Sequence, residues 1–162
     1  MATIINIETS TSSCSLALAS DGEILFSACD PTGMNHAKLL GGYAKEAENV
    51  LKEKNLHLDA VCVSKGPGSY TGLRIGVSMA KGLCFGADAK LIAVDTLALI
   101  AHTAIKSGAV KPGALVCPMI DARRMEVYAS FFDHSLNQVR ETSADIIDEN
   151  SYAEYLGSKE VF

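Results

Sequence analysis

One stretch constrains the fold more than any other: residues 64–85, SKGPGSYTGLRIGVSMAKGLCF, where the end of a strand, a glycine-rich turn and a helix follow one another directly. Ahead of it, Asp59 to Val63 is a short β-branched run suited to a buried strand. Gly66, Pro67 and Gly68 end that strand, because glycine reaches φ > 0 and proline cannot donate to a ladder. From Thr71 the spacing predicts a helix through Phe85. Arg74, Ser78 and Lys81 form one narrow polar stripe, and Leu73, Val77, Ala80 and Cys84 lie off it. A helix with so little polar surface is expected to be covered on two sides, and Gly72, Gly76 and Gly82 would admit another backbone closely. One cover is the helix's own sheet; a partner is the candidate for the other.

The same turn invites an anion reading, since a strand feeding glycines into a helix N-terminus aims N–H groups and a positive dipole end at one point. The standard spacings do not fit. A P-loop needs four residues between its glycines and then Lys, whereas five separate Gly66 from Gly72 and Leu73 follows. A dinucleotide fingerprint begun at Gly66 and Gly68 needs a glycine where Thr71 stands. The residues alone leave a tight structural turn and an anion site both open.

Ser64-Lys65-Gly66-Pro67-Gly68-Ser69-Tyr70-Thr71-Gly72-Leu73-Arg74-Ile75-Gly76, continuing to Ala80-Lys81-Gly82-Leu83, closely resembles the signature of the TsaB (YeaZ) family. Members of that family are similar to TsaD and the glycoprotease-like group. They belong to the actin, sugar-kinase and heat-shock-chaperone superfamily of duplicated ribonuclease H-like lobes.

In chain order, Thr3 to Ile7 reads as a β-branched strand ending at Glu8, followed by the hydroxyl-rich turn Thr9 to Ser13. Cys14 to Ala19 is a second strand, Asp21-Gly22 a type I′ hairpin signal, and Glu23 to Cys29 the returning third strand. Asn35 is a candidate N-cap for a helix to about Lys54. Its seam is Leu40, Tyr43, Ala47, Val50 and Lys54, widened by Leu39, Ala44 and Leu51, with Lys38, Lys45, Glu48 and Lys52 opposite. Core packing and a partner strip are both consistent with that arc. Lys90 to Val94 is the fifth strand, and Asp95 or Thr96 caps a helix to about Lys106. The expected fold is α/β: a ribonuclease H-like lobe over residues 1–108, then the start of a second lobe over 109–162. The first lobe should hold a five-stranded mixed sheet, its first three strands antiparallel, with helices 35–54 and 71–85 on one face.

In the second lobe, Leu115 to Ile120 restarts a strand, Asp121 to Arg124 turns, and Met125 to Phe132 alternates as the next strand. Asp121, Ala122 and Arg123, with Glu126, Val127 and Tyr128, resemble a second string of the family. A short strand near Val139 and a helix near 151–156 follow, and Glu160 to Phe162 reads as a strand beginning without a partner. Since family members continue through further elements, the resemblance implies a partial second lobe.

Composition narrows the function classes. The 162 residues are 48% apolar and 20% charged, with a formal charge of −5 that disfavours autonomous nucleic-acid binding. Five cysteines scattered without C-x-x-C spacing point to reduced core thiols, and four dispersed histidines offer no pair at helix-ligand spacing. No apolar run reaches membrane-span length and no signal segment is read, so the expectation is a cytoplasmic protein with no membrane partner.

Three function classes are weighed. In glycoprotease-like relatives two metal histidines four residues apart follow the fifth strand; by the resemblance Thr96 and Ile100 occupy those positions, and neither is a transition-metal ligand. A metallopeptidase or carbamoyltransferase site is therefore not expected, nor any resident metal. An ATP-binding phosphotransferase is the alternative: Glu8, Thr9 and Ser10 match the superfamily's first phosphate loop, yet with Asp121 and Arg123 they form no complete phosphoryl-transfer set. A serine-rich turn with a capping carboxylate accounts for the same three residues. The favoured class, which the resemblance implies, is a non-catalytic scaffold partner of a TsaD-like enzyme. That enzyme forms N6-threonylcarbamoyladenosine at position 37 of tRNA, together with a TsaE-like ATPase. In isolation a homodimer is expected, tRNA is reached only through the complex, and no cofactor is held, with ATP or ADP only at an interface with a partner. The expected partner surface includes Leu39, Tyr43, Leu73 and Val77.

Overall fold

The computed structural model describes residues 2–33 and 35–162. Strand β1 (Thr3–Glu8) is hydrogen-bonded on both sides, antiparallel to β2 (Cys14–Ser20) and parallel to β4 (Ala60–Gly66). With β3 (Glu23–Asp30) antiparallel to β2, and β5 (Lys90–Asp95) beyond β4, the five strands run in the order β3-β2-β1-β4-β5. This is the mixed five-stranded sheet the sequence predicts, its first three strands antiparallel and Val61 and Ile92 inside it. The Asp21-Gly22 hairpin has positive φ at both residues, 48° and 85°.

Register puts the apolar side chains on one face. Ile5 lies opposite Leu18 and Val61, and Ile7 opposite Leu16 and Val63, all essentially without solvent exposure. Over that face pack α1 (His36–Glu53) and α2 (Tyr70–Ala87), as the sequence predicts. The buried line of α1 is Leu40, Ala44, Ala47 and Leu51; Tyr43 and Val50 flank it, and Lys54 is the C-cap. The expected seam is thus rotated, because packing on a sheet selects the i, i+4, i+7, i+11 line at the centre of the arc. Asn35 is the N-cap residue, but its side chain makes no capping bond.

In α2 the buried line is Gly72, Gly76 and Ala80, whereas Leu73, Val77 and Cys84 are only partly buried. Ser69 caps the helix, its Oγ accepting from the Gly72 N–H at 3.3 Å, and Asp88 closes it in the left-handed conformation with φ 52°. The helix backbone approaches the turn after β1 so closely that a Cβ at Gly72 would collide with the Thr9 carbonyl, and one at Gly76 with the Thr9 hydroxyl. Gly82 has open space, so the third glycine plays no such part. Of the cysteines, Cys14 is buried, Cys62, Cys84 and Cys117 are half-buried and Cys29 is exposed; all are free.

The contacts divide the chain after Val94, not at residue 108. Helix α3 (Thr96–Lys106), capped by the Asp95 carboxylate at the Leu97 and Ala98 N–H groups, buries Leu97 and Ala101 against Val110, Ala114, Val116 and Phe132. It therefore belongs to the second unit. There β6 (Met119–Arg123), β7 (Glu126–Phe132) and β8 (Gln138–Ile146) form an antiparallel sheet. The expected strand at 115–120 is split: Leu115 and Val116 make only isolated bridges, and Pro118, lacking an N–H, precedes β6. The β6–β7 turn is shifted to Arg123, Arg124 and Met125, all with positive φ. The last residues are paired, contrary to expectation: Leu115 N–H donates to Glu160 O at 2.9 Å, and Phe162 N–H to Leu115 O at 2.8 Å.

The second unit is braced by Arg140 and Asp145 on β8. Their two parallel hydrogen bonds are 2.8 Å each, and Ser143 Oγ and the Tyr152 hydroxyl donate to the same carboxylate at 2.7 Å. Phe131 stacks on Tyr155 at 4.0 Å, beside the short helix α4 (Ala153–Leu156), and meets Tyr152 edge-on at 5.3 Å. The guanidinium beside Asp145 holds that carboxyl well below the usual carboxylate range, while burial raises the Tyr152 hydroxyl. Cys117 is pushed up to about 11, chiefly by burial, and so remains a thiol.

Two predictions follow from this packing. Gly72→Ala or Gly76→Ala should destabilise the chain by about 3 kcal/mol or more, since the first must displace the Thr9 backbone and the second its fully buried side chain. Gly82→Ala should instead stabilise it by about 0.5–1 kcal/mol, and thermal melts of the three variants should show opposite signs. Because the Asp145 pKa is lowered on folding, its contribution is complete above the unfolded-state value and is lost as pH falls through the folded one. Melting temperature should drop below about pH 4, and Asp145→Asn should flatten that acid limb while lowering stability at neutral pH.

Candidate functional site

The turn after β1 is held shut from both sides. Glu8 Oε1 accepts from the Ser10 N–H at 2.6 Å, and the Ser64 hydroxyl donates to Glu8 Oε2 in a short contact. The Ser10 carbonyl in turn accepts from the Ser69 N–H at 2.6 Å. Thr9 and Ser10 are fully buried, with Thr9 against Gly72 and Gly76 and Ser10 against Gly68. Their hydroxyls have no hydrogen-bond partner, and that of Thr9 faces the α2 backbone at Gly76. The sequence grouped Glu8, Thr9 and Ser10 as a phosphate loop, and the structure does bring them together. The N–H groups of Ser10, Ser69 and Gly72 that would cradle an anion are, however, already taken by Glu8, Ser10 and Ser69. Within this unit the arrangement works as a clamp between β1, β4 and α2.

Thr96 opens α3, buried and with its hydroxyl unpartnered, and Ile100 lies half-buried one turn further on. Among the described residues no group of three His, Cys, Asp or Glu side chains is arranged around a common point that a metal ion would fill. The strongly shifted titrating groups, Asp145, Tyr152 and Cys117, lie in the saturated brace of the second unit.

The outer side of α2 is open. Leu73 and Val77, with Tyr70, Arg74 and Ser78, line a shallow groove of about 300 Å³. A larger one of about 680 Å³ runs along Arg74, Ile75, Ser78, Met79 and Leu83. Leu39 and Tyr43 of α1 line neither groove; both are partly buried against the core. Sequence reasoning missed Tyr70, which is 73% exposed and carries the Arg74 guanidinium 5.2 Å above its ring centre. The available signal was the i, i+4 spacing of the pair, lost by starting the helix at Thr71.

Comparison with known proteins places this site in a family. Residues 31–158 match the family described as TsaD: tRNA N6-adenosine threonylcarbamoyltransferase. The chain is 33% identical over 139 residues to the tRNA threonylcarbamoyladenosine biosynthesis protein TsaB of Escherichia coli, covering 84% of this chain and 57% of that protein. Against the protein of the same name from Haemophilus influenzae the identity is 34%, covering 79% of this chain and 52% of the relative. The chain thus spans little more than half the length of these relatives. Among solved structures, YeaZ from Pseudomonas aeruginosa superposes with a TM-score of 0.77 at 27% identity, covering 92% of this chain and 70% of that one. The glycine-rich turn, the strand order and these matches agree: the chain belongs to the TsaD-type family, on its TsaB (YeaZ) side.

Proposed function

We propose that this chain acts as a non-catalytic scaffold for a TsaD-like catalytic subunit in forming N6-threonylcarbamoyladenosine on tRNA. The observation that carries the reading is the clamp: the turn where the superfamily would hold a phosphate has its Ser10 N–H bonded to Glu8, its Ser10 carbonyl bonded to the Ser69 N–H, and Thr9 sealed against the α2 glycines. The same helix presents a grooved, largely apolar outer side whose lining residues Ile75, Val77, Met79 and Leu83 are only partly covered by the core. The names of the curated relatives, tRNA threonylcarbamoyladenosine biosynthesis proteins, supply the pathway. Among the described residues no helix is long and apolar enough to cross a membrane, and the proposed setting is the cytoplasm.

On this reading the TsaD-like subunit docks on the first unit, a TsaE-like ATPase joins the assembly, and tRNA is met only through the complex. Without its partner the chain pairs with a second copy. A nucleotide, if held at all, is held where this chain meets a partner. Of the expected contacts, Leu73 and Val77 are the anchors that line the groove, Val77 while also packing in part against the core. Leu39 and Tyr43 support them from α1 while contributing to the core.

Binding to the TsaD-like subunit of the same organism, measured by titration calorimetry, tests this. A Leu73→Ala, Val77→Ala double variant should lose about 2 kcal/mol or more of binding, the scale of interface anchors, with its circular dichroism intact. Tyr43→Ala should lower the melting temperature as well, because its ring packs on the core. Undiminished binding by the double variant would contradict the assigned surface, and threonylcarbamoyl transfer by this chain alone would contradict the scaffold role.

A further inference from the structure

Resting on that reading, we propose that the Tyr70–Arg74 end of the α2 groove receives a carboxylate from an apolar helix of the partner, and that this contact favours a different chain over a second copy. Among the described residues, Arg74 is the only charged one lining either groove. Its guanidinium is held above the Tyr70 ring and Nη1 donates to the Tyr70 hydroxyl at 3.4 Å. Among the described residues it enters no salt bridge. Most of its five donors are therefore open in a fork that matches a carboxylate bidentately, and the aromatic ring limits the freedom lost on pairing.

From Tyr70 the larger groove continues past Ile75, Met79 and Leu83, three apolar side chains four residues apart on one side of the helix. The run from residue 70 to residue 83 is roughly 20 Å long at helical rise, which suits several turns of an apposed helix better than a small molecule. The occupant so described has an apolar stripe with an Asp or Glu at one end.

Charge also weighs against self-pairing through this helix. Between Tyr70 and Ala87, α2 contains Arg74 and Lys81 and no Asp or Glu. Two copies laid α2 against α2 would bring cations together with nothing on the helix to neutralise them. Like charges so placed act against the wrong partner. A second copy meeting the groove through α1, which carries Glu46, Glu48 and Glu53 among its lysines, is the competing arrangement.

The test uses the full chain with Arg74→Gln and Arg74→Glu, each checked for fold by circular dichroism. Affinity for the TsaD-like subunit is measured at low and high salt, and self-association by sedimentation. The proposal expects Arg74→Gln to weaken heterologous binding about ten-fold and to flatten its salt dependence, with Arg74→Glu weaker still and self-association not reduced. Wild-type binding that persists unchanged in both variants would overturn the carboxylate contact while leaving the scaffold reading intact. Self-association weakened as much as heterologous binding would make the second copy the occupant and overturn the selectivity. Failure of the wild-type chain itself to bind would overturn both readings.

Discussion

Because Gly72 and Gly76 carry no Cβ, the carbonyl and hydroxyl of Thr9 lie directly against the α2 backbone, and the rest of the first unit is arranged around that approach. Ordinary side chains hold packed helices about 8–10 Å apart; without them, this helix comes into direct contact with the turn at its N-terminal end. The Ser10 carbonyl can then accept from Ser69 at the start of α2, while Glu8 ties the same turn to Ser64 at the end of β4. One turn thereby joins two strands and a helix. Burying the Thr9 and Ser10 hydroxyls without partners costs about 1–3 kcal/mol each, an expense the surrounding backbone and carboxylate bonds offset.

That arrangement has a functional consequence. A phosphate-binding turn needs free N–H groups and room above them, and here the Ser10, Ser69 and Gly72 N–H groups are bonded and the space over Thr9 is filled by helix. Since the inner side of α2 is made of Gly72, Gly76 and Ala80, its larger apolar side chains are left on the flanks and outside. The same residue choice that closes the turn therefore creates the grooved outer surface. A closed turn on one side and a grooved face on the other are two results of one packing decision.

Much of this was legible in the sequence, and the misses have physical reasons. Alternation and β-branching marked β1 to β5, and Asp21-Gly22 fixed the antiparallel half, because both signals are local. The glycines of α2 could be read as a close approach, but not toward what, since Thr9 is brought there only by the parallel β1–β4 pairing. Gly82 looks the same in sequence and meets nothing. For α3, local periodicity gave the helix, whereas its assignment to the second unit depends on Val116 and Phe132, which only the folded chain brings beside Leu97. The Arg140–Asp145–Tyr152 brace was invisible for the same reason, and the Tyr70–Arg74 pair was missed by one residue of helix start.

The account's central claim is that the first unit works through the outer side of α2 while the turn after β1 stays closed. Hydroxyl-radical footprinting of the chain, free and mixed with the TsaD-like subunit, addresses it side chain by side chain. Tyr70 and Met79 should lose reactivity in the complex, and Thr9 should stay unreactive in both states. A complex that forms with Tyr70 and Met79 as reactive as in the free chain would contradict it.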